Sequence, residues 1–329
     1  MPEDALFFPS LSMPCAAWTN PNLLYFRTIR VIAPNGDPLR LYDAATRRLI
    51  EAKLIEPISP QEYGKDDVGD EAALSFITGL SHGKRKSNNR AIIHAGKVAY
   101  GFTQELLQLG LLAPSNNQGW FEGPVWVVEF IMSLLAIRIL SHPEIDLSLL
   151  TDQTSGVKLV AGSAILPTAR QRSKTAYRRV EAIARMLPVS GDATVEDIVR
   201  FREDHGNELH SFRNYVEWLL CQHLRNGDVE QSFEIRLRDA EEMREHLIGK
   251  LERIKSLSNL EIALTVSAIA APVIEQSLYS AGVATVGLCY FMFRQAQYSR
   301  ERANVLSNKL VYSALAKVHF LEQRFHDFA

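Results

Sequence analysis

The stretch Glu261–Arg294 constrains this chain more than any other. It reads IALTVSAIAAPVI, then Glu275, then QSLYSAGVATVGLCYFMF, with a highly charged segment before it (Phe233–Lys255) and a mixed polar one after it (Ala296–Phe325). The simplest arrangement is long helix, apolar hairpin, long helix. In the first arm Phe233, Leu237, Ala240, Leu247, Leu251 and Ile254 recur at heptad-like spacing, with Arg244 in one slot, which is the pattern of a helix packed along another. Leu306, Leu310, Ala314 and Leu321 form a looser stripe in the return arm. Three environments fit the hairpin: the core of its own helical domain, an oligomer interface, or a bilayer. The second half has eighteen uncharged residues, the lower limit for a span. Gln276, Ser277 and Ser280 weaken it, and Pro272 with Glu275 interrupts the first half. Its many small residues favour close helix packing.

The rest of the chain must supply further cores, because 329 residues exceed what one core usually organises. A 47% hydrophobic and 22% charged composition belongs to an ordinary globular protein, and the formal net charge of -2 gives no global argument for nucleic acid or acidic membranes. Cys15, Cys221 and Cys289 form no CxxC pair, so a zinc ribbon or thioredoxin-type site is not expected. Glu3 and Asp4 stand where a signal peptide needs basic residues, and a cytoplasmic protein is expected.

Strand and helix signals alternate through the first 115 residues. Ala5–Leu11 suits a buried strand and Asn22–Phe26 a short helical turn. Thr28–Ala33 alternates as a strand before the turn Pro34-Asn35-Gly36-Asp37. Asp43 is placed to cap a helix over Ala44–Ala52. Glu71–Leu80 predicts a short helix, Ser81–Arg90 a basic loop, Ala91–Ala99 a strand-like start, and Phe102–Leu109 a helix ended by Gly110. Pro114–Gly123 reads as a boundary. Val125–Leu140 is a core helix rather than a span, being sixteen residues long with Glu129 and Arg138 inside it. Thr168–Met186 predicts a basic helix, and Leu187–Asp192 a second boundary. Thr194 with Asp197 forms a variant capping box opening a helix to Leu224. The expected fold class is α+β: a small α/β domain (1–115), a mainly helical middle region (116–190), and a helical domain with coiled-coil-like arms and a long antiparallel hairpin (191–329).

Candidate chemistry is sparse. GLSHGKR at Gly79–Arg85 resembles a phosphate loop but has three residues between its glycines, where a Walker loop needs four, and Arg85 where a metal-ligating hydroxyl belongs. Two basic clusters remain. Lys84, Arg85, Lys86 and Arg90 form one; Arg170, Arg172, Lys174, Arg178 and Arg179, with Tyr177 interleaved, form the other. Sharing a groove, they could bind phosphates of a nucleic acid or nucleotide; separately, they are solvated faces, as most charge runs are. FREDHGNELHSFR at Phe201–Arg213 holds the densest polar set, Arg202, His205, Glu208 and Arg213. His205 and Glu208 share a helix face as metal ligands can, but His205 and His210 lie about 140° apart around a helix, unlike HExxH. Internal ion pairing is the simpler reading, and no metal or cofactor is expected. GxSxG, GxGxxG and cysteine–histidine signatures are absent.

ALFFPSL (Ala5–Leu11), LLYFRTIRVIAP (Leu23–Pro34), RLIEAKLIEPISP (Arg48–Pro60) and FREDHGNELHSFR together resemble an uncharacterised bacterial family that opens with a tyrosine- or phenylalanine-Pro strand. Phe7-Phe8 departs from the tyrosines usual there. The resemblance implies an N-terminal α/β unit, a C-terminal helical region, and a defence or toxin-like role near mobile elements; it implies no catalytic residue. The expected function is a bacterial interaction or effector protein acting through helical arms and hairpin on a protein partner or a second copy. The alternative is a phosphate-directed nucleic-acid-binding or nuclease-like protein using the basic clusters, and peripheral membrane contact is the least favoured partner.

Overall fold

The computed structural model describes residues 3–34, 38–60, 70–84, 89–98, 100–153, 169–189, 191–225, 233–251 and 308–322. The apolar hairpin, the strand-like VKLVA, and Arg85 and Lys86 lie outside them. The chain divides into two compact units. Unit 1 comprises Met1–Ala184 with Ser190–Val199, and unit 2 comprises Arg185–Val189 with Arg200–Ala329.

Unit 1 is built on a parallel sheet of β1 (Asp4–Phe8), β2 (Ile29–Ile32), β3 (Ile55–Ile58) and β7 (Leu147–Thr151), in the order β3-β2-β1-β7. Helix α1 (Ala16–Tyr25) connects β1 to β2, and α2 (Ala44–Glu51) connects β2 to β3. All five residues of β1 are buried, as a strand inside a parallel sheet requires. Its one charge, Asp4, accepts two hydrogen bonds from the Arg27 guanidinium at 3.1 and 3.0 Å, which holds the Arg27 proton more tightly than usual. Asp43 caps α2 as expected: its Oδ1 accepts from the Thr46 N–H at 2.7 Å. That bond helps hold the Asp43 carboxyl below its ordinary range, against the opposing effect of burial.

Two strands escape the sequence patterns. In β3, Pro57 removes a backbone donor, which an edge strand tolerates. β7 is a short run, LSLLT, without alternation, and its last four residues are buried.

The Asn-, Gly- and Ser-rich stretch expected as a boundary is instead part of a second sheet inside unit 1. β4 (Arg90–His94) pairs antiparallel with β6 (Trp120–Pro124), which pairs with β5 (Ala113–Pro114). Gly123 is required here, because an added Cβ would lie 2.6 Å from the Leu111 carbonyl oxygen and 2.7 Å from Leu112 Cδ2. Helix α3 (Asp70–Lys84) runs four residues past its expected end, through the start of the supposed basic loop. Helix α4 (Tyr100–Gln108) ends at Gly110, whose φ of +66° lets the Leu111 N–H reach the Leu106 carbonyl at 2.9 Å. Helix α5 (Val125–Ser141) is the core helix the sequence implied. It packs on β1, β7, β4 and β6, and its Phe130 stacks on Phe76 at 5.5 Å. Helix α6 (Ala169–Met186) follows.

The expected single helix from Thr194 is two, α7 (Val195–Asp204) and α8 (Gly206–Arg225), broken at His205. At its start the Thr194 Oγ1 accepts from the Asp197 N–H at 3.1 Å, and the Asp197 carboxylate accepts from the Thr194 hydroxyl and N–H at 2.7 and 3.4 Å. In unit 2, α8 is joined by helix α9 (233–251) and by α10 (Val311–Lys317), which continues as a π-helical turn Val318–Glu322. Of the α9 stripe, Phe233, Leu237, Ala240 and Leu247 are buried and Leu251 is half-buried, while Ile254 lies outside the described residues; Ile248, off the stripe, is buried as well. Arg244 in the heptad slot is buried too, because its guanidinium donates to the carbonyls of Arg185 at 2.7 Å and Met186 at 3.3 Å. The Ser313 hydroxyl of α10 also donates to the Met186 carbonyl. The two arms meet at Lys317–Glu245, 2.7 Å apart. Among the described residues no helix is long and apolar enough to cross a membrane.

Candidate functional site

In an open parallel sheet, ligands are received at the carboxyl ends of the strands, where the direction of strand addition reverses. Here β2 and β3 lie on one side of β1, and β7 lies on the other. The reversal therefore falls between the ends of β1, at Phe8 and Pro9, and β7, at Thr151 and Asp152. The Thr151 hydroxyl fixes the exit of β7, donating to the Gln153 carbonyl at 2.9 Å and accepting from its N–H at 3.0 Å. Asp152 follows, and partial desolvation pushes its carboxyl up.

A second element reaches the same edge of the sheet. β4 ends at His94, and the 3-10 turn Ala95–Lys97 follows. The His94 Nδ1 accepts from the Gly96 N–H at 3.0 Å, which places the proton of the neutral ring on Nε2. The ring meets Trp120 edge-on at 5.1 Å across the β4–β6 pair. A Cβ on Gly96 would sit 3.2 Å from Pro34 Cβ, so glycine brings this turn close to the end of β2. The Ala95 N–H donates to the Gly119 carbonyl at 2.8 Å, and Gly119 itself has φ +80°.

Lys97 closes the turn and is only 6% exposed. Its ammonium makes no hydrogen bond or ion pair with any described residue. A lysine usually keeps its charged head in water while burying its stem. Burial alone lowers the Lys97 amine from 10.5 to about 7. His94 is also pushed down, first by burial and then by the Lys97 charge. The turn after β4 thus carries a largely buried lysine at its end and His94 at its start. Periodicity gave no reason to select Lys97. The available signal is that it is the only Asp, Glu, Lys or Arg between Arg90 and Glu105.

The residues the sequence singled out are placed elsewhere. Lys84 ends α3, and Arg90 opens β4, paired with Glu122 at 3.2 Å. Arg170, Arg172 and Lys174 lie on α6. On the same helix Arg178 and Arg179 are 8% and 7% exposed, so they are not part of a solvated face, whereas Tyr177 is 58% exposed.

Of the α7–α8 set, Arg202 and Arg213 lie near Tyr312, and His205 packs on Phe201. Phe201 packs its ring against His205 at 4.6 Å, Tyr312 at 5.3 Å, His319 at 5.2 Å and Phe320 at 5.2 Å. Burial pushes the Tyr312 phenol far up, and the charges of Arg202 and Arg213 oppose that shift. Arg202, His205, Glu208 and Arg213 are all partly buried. His205 lies at the helix break, so it does not share a continuous helix with Glu208. Among the described residues no group of three His, Cys, Asp or Glu could hold a metal ion.

No family model, no curated protein and no solved structure matches this chain.

Proposed function

We propose that the protein is an interaction or effector protein whose contact surface lies on the α8–α9 pair of unit 2. The observation that carries the reading is an exposed aromatic–aliphatic patch on a stiff helical support. Trp218 is 50% exposed and stacks on Tyr215 at 5.9 Å with an interplanar angle of 26°. Burial first, and the Asp239 carboxylate second, push the Tyr215 phenol up, which puts α9 beside this part of α8. Ile235, Asp239 and Met243 are four residues apart and lie along one side of α9. Ile235 and Met243 are 44% and 48% exposed.

The support is held by charge-assisted bonds. Arg185 donates to both oxygens of Glu241 at 3.0 and 2.7 Å and to Glu234 at 2.8 Å. A rigid tryptophan beside aliphatic neighbours is what an interface anchor needs, since little side-chain entropy is lost on docking. The occupant proposed is a second copy of the chain. The defence-linked role implied by the sequence resemblance belongs to the same proposal.

Light scattering across a concentration series tests it. Wild type should self-associate, and Trp218→Asp should weaken association at least thirtyfold, the equivalent of about 2 kcal/mol for one anchor. A wild-type chain that stays monomeric throughout, or a Trp218→Asp variant that associates equally well, overturns the reading.

A further inference from the structure

We propose that the outer edge of β4 pairs with the same edge of a second copy of the chain. The two strands run antiparallel about a two-fold axis at Ile92 and make one continuous sheet of order β5-β6-β4-β4-β6-β5. The edge belongs to unit 1, and the inference is independent of the α8–α9 surface of unit 2.

The backbone fixes which groups this edge offers. At the two ends of the β4–β6 ladder, the Val125 N–H donates to the Asn89 carbonyl at 3.1 Å and the Ala95 N–H to the Gly119 carbonyl at 2.8 Å. Hydrogen-bonded pairs recur at every second residue of an antiparallel ladder, so Ala91 and Ile93 also turn their backbone groups to β6. Arg90, Ile92 and His94 turn theirs outward. β4 is the end strand of its sheet, and no described strand takes those groups up.

The side chains leave the same edge unguarded. Edge strands are ordinarily blunted by proline, by shortness, by charge or by a cover. β3 carries Pro57, β5 is two residues long and ends in Pro114, and the last four residues of β7 are buried. β4 has five residues and no proline, and Ile92 at its centre is 50% exposed. Its one arginine, Arg90, reaches across to β6, 3.2 Å from the Glu122 carboxylate and 3.4 Å from the Glu122 carbonyl oxygen. The charge that would repel another strand is thus drawn away from the edge and paired.

What this edge fits is its own copy. Antiparallel pairing centred on Ile92 sets Ile92 against the partner's Ile92 and Arg90 against the partner's His94, so apolar meets apolar and the arginines stay apart. Every outward N–H and C=O of Arg90, Ile92 and His94 then has a partner. Slipping the register leaves one of those residues in each copy unpaired. Pairing over so short a strand buries little area, so the association is weak and depends on concentration.

Sedimentation velocity with hydrogen–deuterium exchange tests it on the full chain. Trp218→Asp removes the unit 2 surface, and this variant should still form dimers at high concentration. As they form, exchange of the outward Ile92 and His94 amides should slow. Adding Ile92→Lys sets two lysines on the axis and should weaken that residual association roughly tenfold with unchanged circular dichroism. Ile92→Val in its place should leave it intact. A Trp218→Asp chain that stays monomeric overturns the proposal, as does association that Ile92→Lys leaves unchanged. Amides at Ile92 and His94 that are protected at every concentration overturn it too, since the edge is then covered by the chain's own residues. Ile92→Lys with Trp218 intact reports the α8–α9 surface alone, so the two readings fail separately.

Discussion

Lys97→Met keeps a long unbranched side chain in the turn and removes the charge. The wild-type amine has a folded value of about 7 and an unfolded value of 10.5. Between these values unfolding takes up a proton, so burial of the amine costs most at low pH and the cost fades as pH rises. The slope approaches about 1.4 kcal/mol per pH unit inside the window and vanishes below pH 7. From pH 6 to pH 9 the wild type should therefore gain about 2.5 kcal/mol of stability from this one group, and the methionine variant should gain none of it. The advantage of Lys97→Met over wild type should be largest at pH 6 and shrink by that amount at pH 9. Equilibrium urea unfolding at four pH values, with Trp18, Trp120 and Trp126 reporting on unit 1, measures the difference directly. If the difference is the same at pH 6 and pH 9, the amine is charged and satisfied in the fold, and the desolvation argument is wrong.

Three further outcomes follow from the packing. Gly123→Ala should destabilise unit 1 by about 1–3 kcal/mol in thermal or denaturant unfolding, because its methyl would press on the Leu111 carbonyl. Thr194→Ala should cost about 1 kcal/mol by removing a reciprocal cap, and the loss should be reduced in Thr194→Ser. Arg244→Met should destabilise unit 2 by about 1–3 kcal/mol, since the Arg185 carbonyl loses its charged donor; chemical denaturation followed by Trp218 fluorescence reads it.

The parts of the fold that sequence disclosed are those where local signals and tertiary packing agree. Asp43 before Ala44, Thr194 before Asp197, and Gly110 after α4 are capping signals that act within a few residues. The α5 segment carries enough apolar surface to be core on composition alone. β3 and β7 were hidden for opposite reasons. Pro57 argues against a strand, and only an edge position makes it tolerable. LSLLT is too short and too uniform to reveal a period, and it pairs with β1 across a large sequence separation, Asp4 lying opposite Leu147. The turn of Asn, Gly and Ser residues before Trp120 looked like a linker because turn chemistry is the same in a linker and in a hairpin between β5 and β6. Burial of charge is the least legible property of all. Arg178, Arg179 and Arg244 look like solvated residues in sequence, and Lys97 looks like a loop lysine. Their exposure is set by neighbours distant along the chain.

The path of the chain between its units limits how the protein can be divided. It crosses from one unit to the other at residues 184/185, 189/190 and 199/200. A fragment starting at Arg200 would leave behind the carbonyls of Arg185 and Met186, to which Arg244 and Ser313 donate. A fragment ending at Ala184 would lose the segment Ser190–Val199 from unit 1. Neither half is therefore a cassette that recombination could lift out at a single junction. Descendants of this chain should carry both units together, with insertions in the loops rather than exchanged halves.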